Sequence, residues 1–228
     1  MRCVSKILDM FFFVCMVPML MIGLYALVDG ILVSESATIE KDIIELAEKG
    51  DDEIFDRLEE ESPYTVAWLQ VEKTNINYPV VQGDDNTWFL NRNYRGDFAT
   101  AGSLFLDYRN DANFEDVFSI VYGHRMGNGE MFSDVHLFKD ESFFREHKTG
   151  RIKKKSQNVE LEVVAYAEVK ANDWSIYNVK RSRNNIGVVQ EIVKKAIRRS
   201  DGDVIVDGKY VLFSTCDAKK KEVRDVLL

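Results

Sequence analysis

Apolar and polar residues follow three different patterns along this chain. Residues 10–28 contain no charge, and this run is about as long as a helix needs to cross a bilayer, roughly 20 residues. Residues 34–61 carry apolar side chains at helical spacing, with an interruption at 50–52, which predicts two amphipathic helices. After Pro63 the pattern changes to short apolar runs separated by turn residues, which is typical of strands.

The third pattern predicts a mainly β domain. Pairs such as Asn-Asp, Gly-Asp and Asp-Gly separate the apolar runs. Many short strands in one domain of this length favour a barrel or a sandwich. Helical spacing returns in two insertions, at 130–147 and 185–199, and the second precedes the strand that ends near Cys216. The predicted strands are 65–71, 78–81, 102–107, 117–122, 159–169, 203–206, 210–215 and 223–228.

The uncharged run predicts a membrane anchor. Arg2 and Lys6 precede it and acidic residues follow, so the positive-inside rule leaves the N-terminus in the cytoplasm and the rest of the chain outside the cell. A cleaved secretion signal is the alternative, but no clear small-x-small cleavage site follows the run. We therefore expect a cytoplasmic N-terminus (1–9), an uncleaved transmembrane signal anchor (10–28), a helical lead-in (29–63) and a folded domain (64–228).

The charge of the chain bears on which binding partners are expected. The chain has 228 residues and a formal net charge of −8, which argues against a nucleic-acid partner bound through its phosphates. The insertion at 185–199 and the residues just before it are locally basic. This basic surface is either an ordinary solvated helix face or an attraction to an anionic cell wall or membrane.

The cysteines single out one thiol. Cys3 and Cys15 fall before or within the uncharged run, so Cys216 is alone in the expected extracellular domain. A lone thiol in such a domain is either buried and inert or used chemically. No HExxH motif or Cys-x-x-Cys pair is present, so the sequence supports no metal site.

Three residues at the ends of predicted strands suggest acyl transfer. Cys216 ends one strand, His124 follows another and Arg224 lies on a third. A thiol has a reference pKa of about 8.5, so at neutral pH it needs a neighbour such as His124 to take its proton or hold the thiolate. Arg224 stays charged and suits an oxyanion; alternatively it is a surface residue paired with Asp217 or Asp225. His136 and His147 lie in the first insertion, where packing roles are ordinary.

These residues belong to a pattern that resembles the sortase signature. It comprises Leu212-x-Ser214-Thr215-Cys216, Arg224 on the next strand and Tyr122-Gly123-His124 upstream. Other stretches resemble the class B branch of that family, and the similarity covers roughly residues 64–228. These stretches are 76–82, 85–86, 90–94, 102–110 and 129–132.

The resemblance implies a fold and an activity. Sortases are membrane-anchored cysteine transpeptidases, mainly of Gram-positive bacteria, built on a closed eight-stranded β-barrel. By this likeness Cys216 attacks the Thr carbonyl of a C-terminal sorting signal, in class B an Asn-Pro-x-Thr-(Asn/Gly)-like peptide, and forms a thioester. An amine of the peptidoglycan precursor lipid II, or of a cross-bridge, then resolves the thioester. No cofactor is expected.

The resemblance also implies groove residues and leaves rival readings open. Asp217, directly after the cysteine, is expected to face outward, since a carboxylate facing inward would raise the pKa of the thiol. A hydrolytic cysteine peptidase, a pilin-polymerising sortase and a non-catalytic membrane-tethered β-barrel binding module remain alternatives. The expected substrate-binding residues are Asn86, Leu90, Tyr122, Ser214, Thr215, Ile176 and Tyr177.

Overall fold

The computed structural model describes residues 2–37, 43–45, 47, 53–155, 157–202, 204–216 and 222–228. Helix α1, Arg2–Ala37, contains the uncharged run. Its segment Met10–Val28 has a mean hydropathy of 2.4, with none of it buried, so its length and composition suit a membrane span. A signal sequence can have the same length and composition, so α1 is compatible with either a membrane anchor or a signal sequence.

The lead-in packs against the domain that follows it. Helix α2, Glu53–Glu61, buries Ile54, Phe55 and Leu58. These side chains share a cluster with Trp68 and Phe89 of the domain. Residues 43–45 and 47 are also helical, whereas the predicted interruption at 50–52 lies outside the described residues.

Ten strands form one curled sheet in the part of the chain that the structure describes, in the order β6-β5-β1-β2-β3-β4-β9-β10-β7-β8. The pairs β2–β3 and β4–β9 are parallel, and the other neighbours are antiparallel. The strands are β1 Thr65–Val71, β2 Asn77–Val81, β3 Leu104–Leu106, β4 Phe118–His124, β5 Thr149–Lys154, β6 Gln157–Glu162, β7 Ala165–Lys170, β8 Arg198–Arg199, β9 Tyr210–Cys216 and β10 Val223–Leu227.

The mainly β prediction is confirmed, but the strand number differs from eight. The predicted strand 159–169 is divided at 163–164 into β6 and β7, and β5 and β8 were not predicted. The strand predicted at 203–206 is wrong for residues 204–206, which form loop and turn. Their apolar side chains Ile205 and Val206 are 70% and 69% exposed, so no buried face supports a strand there.

Both helical insertions form shorter helices than predicted. The first contains a 3₁₀ helix, Ser133–Lys139, and then α3, Glu141–Glu146. In the second, α6 covers Ile186–Lys194 and starts at an Asn185 side chain that accepts from the backbone N–H of Gly187. Two short helices precede α6, and the end of the predicted insertion is β8. They are α4, Trp174–Tyr177, and α5, Val179–Ser182.

The curled sheet separates two apolar clusters. On β9, Val211 and Phe213 pack with the inner cluster, whereas Tyr210 and Leu212 pack with an outer cluster that includes α5 and α6. This alternation has the period of two expected for a strand covered on both faces. It also decides which residues at the strand ends face the outer side, where the candidate site lies.

Candidate active site

The parallel pairing of β4 with β9 brings two predicted catalytic residues together. Seven residue pairs are in register, and the last is His124 with Cys216. The next strand, β10, pairs Val226 with Ser214. The same register, carried two residues further along both strands, sets Arg224 opposite Cys216. We call these three positions the candidate catalytic row.

The structure describes the backbone of Cys216, and Asp217 lies outside the described residues. His124 and Arg224 are both partly buried. Ile120 and Tyr122 on β4 pack with the outer cluster, so alternation places His124 on the outer face of the sheet. Val226 on β10 also packs there, which assigns Arg224 to that same face.

A backbone carbonyl orients the imidazole. His124 Nε2 lies 2.7 Å from the carbonyl oxygen of Leu90. Because a carbonyl only accepts hydrogen bonds, Nε2 carries the hydrogen in this contact. In the neutral imidazole, Nδ1 is then the nitrogen that can take up a proton. Leu90, which was predicted for substrate binding, thus positions the histidine through its backbone carbonyl.

Gly102 allows the Leu90 carbonyl to approach the site. Gly102 has φ +63°, and a Cβ built on it would lie 2.7 Å from the carbonyl oxygen of Leu90. Its neighbour Ser103 donates its backbone N–H to the carbonyl of Phe89 at 3.0 Å. A side chain at Gly102 would therefore meet the same carbonyl that holds His124.

A buried carboxylate organises the polar part of the groove. Asp107, directly after β3, is 0% exposed. Arg109 Nε donates to Asp107 Oδ1 at 2.8 Å and Arg109 Nη2 to Oδ2 at 2.7 Å, which is a bidentate pair. Asp107 Oδ2 also accepts from the Asn86 side-chain amide at 2.7 Å and from the Tyr122 hydroxyl at 3.0 Å.

These contacts fix the protonation of the groups around Asp107. Burial by itself raises the pKa of Asp107, but the hydrogen bonds from Arg109 and Asn86 outweigh it and hold that pKa below its ordinary value. Burial and the neighbouring Asp107 carboxylate raise the pKa of Tyr122. Tyr122 therefore remains a neutral phenol whose hydrogen points at Asp107.

Asn86 is oriented at both ends of its amide. Its Nδ2 donates to Asp107, and its Oδ1 accepts from the backbone N–H of Tyr108 at 3.1 Å. These two bonds fix the orientation of the amide, and with it the directions of its second N–H hydrogen and of the second lone pair on Oδ1. A ligand bound at Asn86 would therefore meet an amide whose direction is already fixed.

Helix α4 is joined to the strands at Tyr177. The Tyr177 hydroxyl lies 3.0 Å from Ser214 Oγ, its ring stacks on Tyr122 with centroids 6.4 Å apart, and its carbonyl accepts from Arg109 Nη2 at 3.2 Å. Ser214 is buried beneath this contact. The α4 segment thus forms a wall beside Tyr122, held by contacts to β4, β9 and Arg109.

Two of the predicted groove residues are fully buried. Ile176 packs in the outer cluster and is 0% exposed. Thr215 is also 0% exposed, and the alternation along β9 places it on the inner face. Ser214 is buried as well, at 1% exposure, whereas Asn86, Leu90, Tyr122 and Tyr177 are partly exposed and could contact a ligand directly.

The prediction omitted Asp107 and Arg109 as site residues. The signal was present, because an acidic and a basic residue two positions apart follow a buried strand in Leu106-Asp107-Tyr108-Arg109. The bonds from Asn86 and Tyr122 to Asp107 depend on the tertiary fold. Among the residues that the structure describes, no group of three or more His, Cys, Asp or Glu residues could hold a metal ion.

Comparison with known proteins gives a consistent answer. A family model described as the sortase domain matches residues 69–226. The chain is 33% identical over 156 residues to sortase B of Listeria monocytogenes, which covers 68% of this chain and 63% of that protein's length.

Solved structures extend the similarity to the fold. A Staphylococcus aureus sortase B–substrate complex is similar with a TM-score of 0.72 at 26% identity, over 82% of this chain and 89% of that one. A Streptococcus pyogenes class B sortase involved in pilus biogenesis is similar with a TM-score of 0.69 at 31% identity, over 76% of this chain and 94% of that one.

Proposed function

The chain belongs to the sortase family, and on that premise we propose that it is a membrane-anchored cysteine transpeptidase of class B. The observation that carries the proposal is the candidate catalytic row. His124 and Cys216 are in register at the ends of two parallel strands, and β10 with Arg224 is the next strand. The three residue types supply a nucleophile, a proton carrier and a fixed cation.

In the proposed reaction the Cys216 thiolate attacks the Thr carbonyl carbon of a sorting signal. Arg224 stabilises the negative charge on the carbonyl oxygen in the tetrahedral intermediate. The C–N bond then breaks, and the imidazolium of His124 gives its proton to the leaving amine. The thioester remains on Cys216 until an acceptor amine attacks it, loses a proton to His124 and expels the thiolate.

The groove supports recognition of a short peptide that carries an amide side chain. Asn86 presents an amide of fixed direction, and partly exposed Leu90 and Tyr122 provide apolar surface next to it. This chemistry suits an Asn-Pro-x-Thr-(Asn/Gly)-like signal, because a buried polar site rejects a side chain that leaves it unpaired. The proposed acceptor is an amine of lipid II or of a peptidoglycan cross-bridge.

The test uses the full-length chain in detergent micelles. Purified protein is incubated with a panel of sorting peptides, with and without an amine acceptor, and intact mass is measured. We expect a mass increase that maps to Cys216 and is removed by the amine. Cys216→Ala abolishes the adduct, whereas Cys15→Ala, which changes an exposed cysteine on α1, retains it. An adduct that persists in Cys216→Ala would refute the proposal.

The same experiment separates the rival functions. A hydrolytic cysteine peptidase releases peptide acid at the same rate with or without amine. A non-catalytic binding module gives no adduct and binds its peptide equally well after Cys216→Ala. A pilin-polymerising sortase, which the similarity to the Streptococcus pyogenes enzyme favours as second candidate, prefers a protein lysine to a peptidoglycan amine.

We propose that α1 is an uncleaved anchor with its N-terminus in the cytoplasm and the catalytic domain outside. Its 19-residue apolar segment and the preceding Arg2 and Lys6 support this orientation. External protease on intact cells should digest a C-terminal tag and spare an N-terminal one. A mature protein that lacks the N-terminal tag altogether would indicate a cleaved signal instead.

A further inference from the structure

Asp225 is a buried carboxylate on the inner face of β10. It directly follows Arg224, and it shares its face of the strand with Leu227, which packs in the inner cluster. The residue is only 6% exposed. Asp225 therefore lies behind the outer face on which Arg224 and His124 are placed, and it has no access to a peptide in the groove.

Two partners hold this carboxylate, one on β7 and one directly after β4. The Tyr166 hydroxyl on β7 donates to Asp225 Oδ1 at 2.7 Å, and Arg125 Nη1 lies 3.5 Å from Oδ2. Burial, the hydrogen bond to Asp225 and the charge of that carboxylate raise the pKa of Tyr166, so it remains a neutral donor. These groups line a cavity of about 150 Å³ together with His136, Lys139, Glu168 and Val223.

The Arg125–Asp225 pair reaches across the strand that carries the nucleophile. Arg125 follows His124 at the end of β4, and Asp225 follows Arg224 on β10. In the sheet, β9 lies between β4 and β10, so the latter two have no shared ladder of hydrogen bonds. By the β9–β10 register, Asp225 is opposite Thr215, one residue before Cys216.

We propose that Asp225 is a positioning residue, which through Arg125 and Tyr166 fixes the separation of His124 and Arg224 on either side of Cys216. This rests on the proposed function. A misplacement of about 1 Å at a reacting centre can cost about 100-fold in rate. The two groups that flank Cys216 sit on strands that are not neighbours, and this pair joins those strands directly.

A purely structural role makes a different prediction. Breaking the pair would then lower stability without changing the chemistry of a folded enzyme. Positioning predicts a fall in kcat with little change in KM, because Asp225 faces away from the groove and forms no part of the peptide surface. Arg125 and Asp225 should also act as one unit, so that their effects are not additive.

The test compares Asp225→Asn, Arg125→Gln and the double variant in the full-length protein. Each single variant should lower kcat about tenfold with KM within twofold, and the double variant should be no slower than the slower single one. Arg125→Lys should recover part of the rate, because it restores the charge. The matched control is Glu168→Gln, which breaks the Lys139–Glu168 pair of 2.6 Å in the same cavity and should leave kcat within twofold.

A second measurement needs no peptide. The rate at which iodoacetamide alkylates Cys216, followed by mass against pH in a Cys3→Ser, Cys15→Ser background, reports how well the neighbouring cations hold the thiolate. Asp225→Asn should slow alkylation at neutral pH about threefold or more, whereas Glu168→Gln should not.

The outcomes distinguish this inference from the proposed function. No adduct with any peptide in the unaltered protein counts against the function, while the alkylation comparison still tests Asp225. Unchanged alkylation and unchanged kcat in folded Asp225→Asn would overturn the positioning role. So would a rise in KM alone, or additive losses in the double variant. If Asp225→Asn does not fold, Arg125→Gln and Tyr166→Phe carry the same comparison.

Discussion

Asp107 and Asp225 are both buried carboxylates that contact or adjoin predicted site residues, but they are held in opposite ways. Asp107 is paired with Arg109, two residues away in the sequence, by two bonds of 2.7 and 2.8 Å. Asp225 is bound by Tyr166 and more loosely by Arg125, which are both distant in the sequence. The local pair shapes the groove, and the long-range pair joins strands.

The difference shows that burial alone does not determine whether a carboxylate contributes mainly to stability or mainly to geometry. Asp107 receives hydrogen bonds from four groups, the side chains of Arg109, Asn86 and Tyr122 and the backbone N–H of Arg109. Its loss would leave several donors without an acceptor at once. Asp225 is held by one short hydrogen bond from Tyr166 and by the longer Arg125 pair, so its loss should affect geometry more than stability.

The largest expected effect is on stability. Asp107→Ala should lower the free energy of unfolding by about 3 kcal/mol. The change leaves the Arg109 guanidinium, the Asn86 amide and the Tyr122 hydroxyl without their acceptor. Asp225→Ala should cost about 1–2 kcal/mol, since its ion pair is longer and Arg125 is 31% exposed. Urea unfolding followed by circular dichroism measures both.

The control for that comparison is Glu191→Gln, which breaks the exposed ion pair with Lys194 and should cost no more than about 0.5 kcal/mol. Equal losses for the two aspartate variants would break the distinction between a local and a long-range carboxylate.

A second prediction concerns substrate binding. Asp107→Asn keeps the shape of the side chain but puts a competing donor where Asn86 and Tyr122 now donate. We expect KM for a sorting peptide to rise about tenfold, close to 1.4 kcal/mol, with a smaller change in kcat. Asp225→Asn should show the reverse split. Steady-state kinetics over a range of peptide concentrations measures this, and the same kcat-to-KM pattern in both variants would contradict it.

Acid should remove the stabilisation that Asp107 provides. Because the folded state lowers the pKa of Asp107, this residue stabilises the fold at pH values above the ordinary Asp pKa, about 3.9. That stabilisation is lost as the pH falls through the lowered pKa of the folded state. Unfolding free energies measured from pH 6 downward should therefore decline more steeply for the unaltered protein than for Asp107→Asn. Parallel curves would show that Asp107 does not carry this stabilisation.

The smallest predicted effect separates the two tyrosine donors. Tyr122→Phe and Tyr166→Phe each remove one hydrogen bond to a buried carboxylate and should each cost about 1 kcal/mol of stability. Tyr122→Phe should raise KM a few-fold, since Tyr122 faces the groove, whereas Tyr166→Phe should lower kcat a few-fold. Steady-state peptide kinetics on the two purified variants measures this contrast. The same changes in kcat and KM for both variants would contradict it.

Sequence reasoning predicts the fold where the local pattern and the tertiary environment agree. The bounds of β1 are those predicted, because its apolar residues are buried on both faces. β5 was missed because its sequence is basic, although Lys153 is buried and its amine bonds to the carbonyl of Ala47. The strand prediction was wrong at residues 204–206 because the Tyr210 hydroxyl bonds to the backbone of Ile205 and holds this apolar run in a loop.

The same reasoning explains what could be known of the site. His124, Cys216 and Arg224 could be predicted as site residues because each lies on or after an apolar strand and matches a family motif. Asp107 and Arg109 left a local signal in their spacing. The Arg125–Asp225 contact could not be predicted from local sequence. It depends on the placement of β9 between β4 and β10, which is known only from the folded sheet.

The parallel pairing of β4 with β9 also has a consequence for biosynthesis. Parallel neighbours cannot be joined by a tight turn, and here everything between His124 and Tyr210 must be made before the two strands can meet. A ribosome-bound chain thus contains His124 long before Cys216 has been made. The candidate catalytic row therefore forms only when β9 pairs between β4 and β10, which makes it one of the last parts of the fold that a growing chain can complete.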